Sequence, residues 1–267
     1  MLRCADLRRY LQGLIPVAPK VARHASVGSE TRMNSFDIAI TSFVNQFSQN
    51  SWLFDKFVAS VAGNSLLKGG VLVAVIWWAW FEREDRYSHN RKHIIATLVG
   101  SIVAMAFAKG LTVTLPFRLR PMDEERMRFL LPHEWEPEVL SAWSSFPSDH
   151  AVLFFSLSAG LLFAHRRVGM LAILYTALVI AFPRLYLGLH YATDIIGGAV
   201  VGIAFAVIAN TYLVENKYVR SIVDLSASRP SLFYPVFFVF AYQIADNFAP
   251  SRALARGAFV AIQSILG

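Results

Sequence analysis

The feature that most constrains this chain is a series of long apolar runs. Six of them approach the roughly 20 residues that an α-helix needs to cross the hydrocarbon core of a bilayer. Hydrophobic residues make up 55% of the 267 residues and charged residues only 16%, against about 25% charged in a typical soluble domain. The sequence therefore predicts an all-α fold, a polytopic membrane helical bundle with about six transmembrane helices. The predicted spans lie at about 65–81, 93–115, 148–164, 168–187, 195–214 and 231–247.

The segments outside these runs are more polar. Residues 1–34 carry six basic side chains and are predicted to be a disordered cytosolic tail, with Met33 as an alternative start of translation. Residues 35–62 alternate apolar and polar side chains, which favours an amphipathic helix at the membrane surface, or two helices broken near Ser48 to Ser51. Residues 215–267 are predicted to form a C-terminal segment with one further apolar helix.

Basic residues between the spans predict the orientation. If the spans alternate, the connections 82–92 and 165–167 and the stretch after 214 share one face. That face carries Arg83, Arg86, Arg91, Lys92, Arg166, Arg167, Lys217, Arg220 and Arg229. The positive-inside rule makes it cytoplasmic. The loop 116–147 and the short loop near 184–194 then lie on the periplasmic or extracellular face of the inner (plasma) membrane.

The net charge of +7 fits anionic lipid headgroups better than nucleic acid, because the basic residues mostly flank apolar runs. The sequence has neither zinc-finger spacing nor an aromatic-basic motif for nucleic acid. The predicted partners are therefore membrane lipids and a lipid substrate, with no nucleic acid. The oligomeric state is left open.

Three polar clusters fall on the predicted outer face. The first is Lys109 followed by the segment Leu115 to Pro121, which reads LPFRLRP; the second is Phe146 to His150, FPSDH; the third is Pro183 to Asp194, PRLYLGLHYATD. Ionisable residues at the edge of a membrane are costly and tend to be functional. Their convergence on one face predicts a site at the membrane surface.

Two histidines in these clusters suit phosphoryl transfer. His190 and Asp194 are four residues apart, so on a helix they share a face. A carboxylate beside one imidazole nitrogen can fix the tautomer and leave the other nitrogen free to attack. His150 begins the third span, where a second histidine can protonate a leaving oxygen.

The remaining polar residues can bind a phosphoryl group. Arg120 and Arg184, with Arg118 or Lys109, can gather its oxygens. Ser148 lies where a helix is predicted to begin, so its hydroxyl and the free backbone N–H groups there form an anion site.

Each of these residues also has a commonplace role when it is taken alone. A basic residue at a membrane boundary is usually a headgroup anchor, Asp194 could cap a helix, and Ser148 could be an ordinary N-cap. Gly198 and Gly202 form a GxxxG pattern, for which close helix packing is favoured over a catalytic role.

Taken together, the motifs resemble those of the type 2 phosphatidic acid phosphatase (PAP2) superfamily. The family pattern is K-x6-R-P, then P-S-G-H, then S-R-x5-H-x3-D. This chain has Arg120-Pro121, then Pro147 to His150, then Arg184-x5-His190-x3-Asp194. The resemblance covers about 35–214, which is predicted to be the phosphatase core.

The resemblance implies a role for each matching residue. His190 would be the nucleophile that forms a phosphohistidine, Asp194 would orient it, and His150 would be the general acid. The phosphate would be bound by Arg120, Ser148 and Arg184. The resemblance implies neither a metal nor a cofactor.

Three departures from the pattern stand out. Pro183 replaces the family serine. Asp149 replaces the glycine, and this P-S-D-H form resembles the branch that acts on undecaprenyl pyrophosphate. Val113 stands seven residues before Arg120, where the family has lysine. Lys109, one helical turn earlier, or Arg118 is expected to replace that lysine.

The sequence thus predicts an integral membrane phosphatase that hydrolyses a lipid phosphate or a polyprenyl pyrophosphate, with undecaprenyl pyrophosphate favoured. The alternatives are a phosphatidic acid, phosphatidylglycerophosphate or lipid A phosphatase. A haloperoxidase is disfavoured because those relatives are soluble. The alternative from another class is a non-catalytic membrane protein that binds lipid phosphates.

Overall fold

The computed structural model describes residues 34–82, 87–135 and 144–252, together with positions 254 and 257. In these ranges the chain forms helices joined by loops and contains no β-strand, so the predicted all-α class is confirmed. The predicted tail 1–34 lies outside the described residues except for Asn34, which is the N-cap of the first helix.

The helices, numbered in chain order, begin with α1 (Ser35–Asn45) and α2 (Trp52–Gly63). All six predicted apolar runs are helical, with ends that differ from the predicted ones by a few residues. The remaining helices are α3 (Leu66–Phe81), α4 (Tyr87–Thr114), α5 (Asp149–Ala164), α6 (Arg166–Tyr186), α7 (Ala192–Tyr212), α8 (Lys217–Ser228) and α9 (Pro230–Ala245).

Length separates the helices that can cross a bilayer from those that fall short. In the described part of the chain, three helices are long and apolar enough: α4, α6 and α7. The pair α2 and α3 makes a fourth span if it is one helix bent by 67°. With 16 residues each, α5 and α9 are about 24 Å long, short of a hydrocarbon core of about 30 Å. The protein is an integral membrane protein, and the count of six spans remains a prediction.

Helix α5 lies at the centre of the bundle and is buried along most of its length. Glycines allow its neighbours to approach. A Cβ on Gly202 would lie 2.3 Å from the carbonyl oxygen of Val152, and one on Gly198 would lie 2.7 Å from that of Ser148. The GxxxG pattern therefore packs α7 against α5, as predicted. This packing fixes the N-terminal end of α5, which carries His150.

The segment 35–62 forms two helices, and the break at 46–51 includes the predicted one. Its acidic residues face protein. Asp37 is 1% exposed and Asp55 is 0% exposed. Asp55 accepts hydrogen bonds from the backbone of Gln49 and His133 and from the hydroxyl of Tyr186, where α6 ends. These contacts hold α1 and α2 on the end of the bundle where the predicted site lies.

The opposite end of the bundle contains a buried arginine. Arg91 was grouped with the basic residues that face cytoplasmic headgroups, but it is 0% exposed. It donates to the carbonyl of Trp80, the hydroxyl of Ser226 and the hydroxyl of Tyr234. Arg91 thus ties α3, α8 and α9 together. The amphipathic helix α8, which the sequence analysis did not predict, supplies one of these partners.

Replacing Gly202 by alanine tests the packing of α7 on α5. The added methyl group would meet backbone atoms of α5, which cannot rotate away, so Gly202→Ala is expected to destabilise the protein by about 1–3 kcal/mol. The measurement is thermal unfolding of the purified protein in detergent.

Gly110→Ala is the matched control, since a Cβ at Gly110 meets nothing within 4 Å. Alanine is the better helix former by roughly 1 kcal/mol, so this variant should be unchanged or more stable. Equal stability of both variants would contradict the close packing of α7 on α5.

Candidate active site

The three polar clusters meet where α5 and α7 begin and α6 ends. The backbone N–H of Ser148 donates to the carbonyl of Asp194 at 3.1 Å, and Nη1 of Arg120 donates to the carbonyl of Leu189 at 2.7 Å. The turn after α6 needs Gly188, whose φ is +69° and whose added Cβ would lie 2.7 Å from the ring of Phe129. The structure therefore brings the predicted site residues into one place.

His190 is held by a backbone carbonyl. It is 5% exposed, and its Nδ1 lies 2.8 Å from the carbonyl oxygen of Ser145. Because a carbonyl only accepts, Nδ1 carries the proton. In the neutral imidazole Nε2 then has a free lone pair, which is the tautomer that a nucleophile requires.

Asp194 contacts His190 less directly than expected. Its Oδ2 lies 3.8 Å from Nδ1 of His190, beyond hydrogen-bonding distance, and accepts a 2.8 Å bond from the backbone N–H of Tyr191. Asp194 thus caps α7 while its charge stays close to the imidazole. The tautomer that was predicted to depend on Asp194 is fixed by Ser145.

Arg118 bridges two buried carboxylates. It donates to Asp194 at 2.5 Å and to Asp37 at 2.5 Å, and its Nη1 also reaches the hydroxyl of Thr193 at 2.9 Å. Asp37 additionally accepts from the backbone N–H of Thr193 at 2.9 Å. The prediction that Arg118 replaces the family lysine is not supported by this geometry, because its guanidinium is directed to carboxylates.

Lys109 remains the candidate for that lysine. It lies on α4, one turn before Val113, which is 79% exposed. Its ammonium group is close enough to the carboxylate of Asp149 for the two charges to interact. Lys109 is therefore on the same side of the site as His150.

Asp149, the residue that departs from the family glycine, holds His150. One oxygen, Oδ1, accepts from the backbone N–H of His150 at 2.8 Å and lies 2.9 Å from its Nδ1. The carboxylate makes Nδ1 a donor, so Nε2 is the nitrogen that can exchange a proton with a ligand. Position at the first turn of α5 also suits an acidic residue, because the helix dipole favours negative charge there.

Two buried arginines keep donor groups without a partner. Arg120 is 8% exposed and donates from Nη1 to the carbonyl of Leu189 at 2.7 Å; Arg184 is 6% exposed and donates from Nη2 to the carbonyl of Ala62 at 3.2 Å. Among the described residues, both Nε atoms lack a hydrogen-bond partner. Burial lowers the pKa of Arg120, and the nearby acids oppose that shift. Unpaired buried donors are costly, so this pair is suited to an anion.

Ser148 occupies the N-cap position of α5 without capping it. Its side chain makes no cap hydrogen bond, and its buried hydroxyl has no partner among the described residues. The role of ordinary N-cap is therefore not realised. The hydroxyl is available to a ligand beside His150.

Several site residues were missed by the sequence analysis. Ser145 contacts His190 through its backbone carbonyl, a group that every residue has, so the sequence does not reveal it. Asp37 could have been noticed as the one acidic residue of α1. Asn247 lies in the turn after α9, and its Nδ2 is 3.4 Å from Nδ1 of His150. Among the described residues no group of three or more His, Cys, Asp or Glu side chains could hold a metal.

Fold and site together define an α-helical integral membrane protein in which two histidines and two buried arginines gather at one end of the bundle. Residues 93–218 match the model of the PAP2 superfamily. This match agrees with the resemblance that the motifs of the chain predict.

Curated relatives and solved structures also resemble the chain. It is 24% identical over 182 residues to the undecaprenyl-diphosphatase BcrC of Bacillus subtilis, covering 68% of this chain and 85% of that protein. It is 29% identical over 136 residues to the bacitracin transport permease protein BcrC of Bacillus licheniformis, covering 49% of this chain and 59% of that protein. A transmembrane PAP2-type phosphatidylglycerolphosphate phosphatase from Bacillus subtilis matches with a TM-score of 0.45 and 20% identity, over 68% of this chain and 86% of that one.

Alanine substitutions should separate the roles of Lys109 and Arg118. If Lys109 binds the transferred phosphoryl group, Lys109→Ala should lower the rate about a hundredfold, as for loss of one oxyanion donor, with little change in stability. Arg118→Ala should leave two buried carboxylates without their partner, at a cost of about 3–5 kcal/mol in stability. The measurements are turnover and thermal unfolding of each variant.

Lys217→Ala, at the opposite end of the bundle, is the control and should change neither quantity. A stable Arg118→Ala protein that has lost only its affinity for phosphate would show that Arg118 is a phosphate ligand after all.

Proposed function

We propose that this chain is a phosphatase that removes the terminal phosphate of a lipid diphosphate, with a polyprenyl diphosphate such as undecaprenyl pyrophosphate favoured. The observation that carries the proposal is the placement of two separately oriented histidines beside two buried arginines with unpaired Nε donors. A site of this kind offers a nucleophile, an acid and charge for a phosphoryl group.

In the first step Nε2 of His190 attacks the terminal phosphorus. The bond between that phosphorus and the bridging oxygen breaks, and the bridging oxygen leaves on the lipid monophosphate with the proton of His150 Nε2. Arg120, Arg184 and Ser148 bind the oxygens of the phosphoryl group during transfer, where their charge and dipoles lower the barrier. The product on the enzyme is a phosphohistidine at His190.

In the second step water replaces the histidine. His150, now neutral, accepts a proton from the attacking water, and the bond between phosphorus and Nε2 of His190 breaks. Inorganic phosphate leaves, His190 returns to its neutral form and His150 is protonated again. Through both steps the Ser145 carbonyl holds His190 in place, and Asp194 stabilises the positive charge that develops on its ring.

The choice of a diphosphate substrate is supported by the P-S-D-H motif and by the similarity to a protein named undecaprenyl-diphosphatase. Monophosphate lipids such as phosphatidic acid, phosphatidylglycerophosphate or lipid A present the same terminal group and are the alternatives. The active face is proposed to be periplasmic or extracellular on the inner (plasma) membrane, because most of the basic connections lie at the other end of the bundle.

A non-catalytic role in lipid-phosphate binding is the rival from another class. A binding protein would need Arg120 and Arg184 but would have no need of two histidines held in defined tautomers. The second relative is named as a transport permease protein, so the distinction has to be made by assay.

Phosphate release from a panel of lipids tests the proposed activity. Purified protein in excess EDTA should release phosphate from a polyprenyl diphosphate, and more slowly from lipid monophosphates, because basic side chains supply the charge that stabilises the transferred group. Complete loss of turnover in EDTA, restored by Mg²⁺, would count against this mechanism. Binding of every lipid without any release would favour the non-catalytic rival.

Trapping of the phosphoenzyme tests the roles of the histidines. His190→Ala should abolish turnover and labelling. His150→Ala should react very slowly with lipid substrates but should still be labelled by an activated aryl phosphate, whose leaving group needs no proton. The measurement is the amount and acid lability of the labelled protein in each variant.

Asp194→Asn serves as the third variant and should fold, label slowly and turn over slowly, because it weakens support of the imidazolium. Equal labelling of His190→Ala and wild type would end the assignment, since the phosphate would then be on another residue.

A further inference from the structure

Beyond the residues of the family motifs, a second cationic group adjoins His150. Lys68 lies at the beginning of α3 with a side chain that is only 12% exposed. A buried ammonium group is costly unless its charge is balanced. Its carboxylate partner is Asp246, at a long 3.5 Å, and the same carboxylate oxygen already accepts a 2.5 Å hydrogen bond from Ser65. The ion pair therefore compensates Lys68 weakly.

Lys68 also lies near other positive charges. It is close enough to Arg184 and to Arg252 for repulsion between them, and His150 lies within range of both Lys68 and Arg184. Basic side chains therefore extend from Arg120 and Arg184, past His150, to Lys68 on α3. Like charges gathered in a largely buried site are stabilised when an anion binds between them.

The turn after α9 brings a neutral donor to the same place. Asn247 is 1% exposed, its Oδ1 has no partner among the described residues, and its Nδ2 lies 3.4 Å from Nδ1 of His150. Because Nδ1 of His150 donates to Asp149 at 2.9 Å, it has no lone pair with which to accept a hydrogen bond from Asn247. The amide of Asn247 is therefore poorly satisfied beside the proposed general acid.

Two consecutive residues of this turn have positive φ values. Asn247 and Phe248 have φ values of 48° and 59°, a left-handed region that asparagine tolerates and that a bulky residue such as phenylalanine rarely adopts. Gly69 allows the end of α9 to approach α3 closely, since a Cβ added to Gly69 would lie 2.3 Å from the carbonyl oxygen of Ala245. Backbone strain of this kind tends to occur at functional sites.

We propose that Lys68, Asn247 and Arg252 form a second anion subsite, which binds the phosphate that remains on the lipid when a diphosphate is cleaved. This inference rests on the proposed function. In a diphosphate the two phosphorus atoms share one oxygen, which is the leaving atom that His150 protonates. The second phosphate must therefore adjoin His150 on the side away from His190. Asn247 lies 3.4 Å from His150, Lys68 is close enough to act on its charge, and Arg252 donates to the carbonyl of Asn247. The subsite selects diphosphates over monophosphates.

Substitution of Lys68 tests the subsite through substrate preference. The quantity measured is the ratio of kcat/KM for a polyprenyl diphosphate to that for the matching monophosphate. Lys68→Met removes one charge-assisted contact to the second phosphate, so this ratio should fall by about tenfold to a hundredfold. Lys68→Arg, which keeps the charge, should restore most of it.

Lys92→Met is the matched control. Lys92 also pairs with a carboxylate, that of Glu215 at 3.4 Å, but at the opposite end of the bundle, so the ratio should not change. Asn247→Gly, which removes the amide and tolerates the positive φ, provides a second variant and should lower the ratio in the same direction. An unchanged ratio in both Lys68→Met and Asn247→Gly would overturn the subsite.

A binding measurement separates failure of the subsite from failure of the proposed function. Stabilisation against thermal unfolding is measured with inorganic phosphate and with inorganic pyrophosphate. Pyrophosphate should bind wild type at least tenfold more tightly than phosphate, and Lys68→Met should lose this advantage. If wild type releases no phosphate from any lipid, the proposed function fails, and this comparison still decides the subsite: equal affinities for the two anions in wild type would overturn it.

Discussion

The bridge from Arg118 to the carboxylates of Asp37 and Asp194 holds together the end of the bundle that contains the candidate site. Both acids are buried, at 1% and 0% exposure, and a buried carboxylate without a partner is strongly destabilising. Arg118 compensates the two charges with one guanidinium, and Thr193 supplies further donors to Asp37. The same interaction fixes the first turn of α7, which follows His190 in the chain. Helix α1, which lies outside the segment matched by the family model, therefore belongs physically to the site.

Much of the fold could be predicted because an apolar run of bilayer length permits little other than a helix. The position of the site was also predictable, since alternation of the spans places the clusters around Arg120, His150 and His190 at one end. Side-chain contacts could not be predicted in this way. The sequence does not distinguish a basic residue that binds phosphate from one that pairs with carboxylates, as Arg118 does. The approach of Asn247 to His150, 97 positions away in the chain, depends on how α9 packs on α3, which no local pattern describes.

The two histidines are oriented by different kinds of acceptor, and the difference suits their proposed chemistry. His190 donates to the neutral carbonyl of Ser145, which fixes the tautomer in which Nε2 is free. A nucleophile has to be neutral before it attacks. His150 donates to the carboxylate of Asp149, which stabilises the imidazolium that a general acid has to be. The glycine of the family motif could not supply that carboxylate, so the aspartate gives this chain a positioning group that the family pattern lacks.

Charge near His150 links its protonation to the ligand. Burial, together with the nearby positive charges of Arg184 and Lys68, lowers the pKa of His150 to about 4, and the carboxylate of Asp149 opposes that shift. An anion bound between these cations would offset the repulsion, so the acid would gain its proton in the presence of substrate. A diphosphate would do this more fully than a monophosphate, because it brings more negative charge to both sides of the ring. In this arrangement, binding of the substrate also favours protonation of His150, the group that protonates the leaving oxygen.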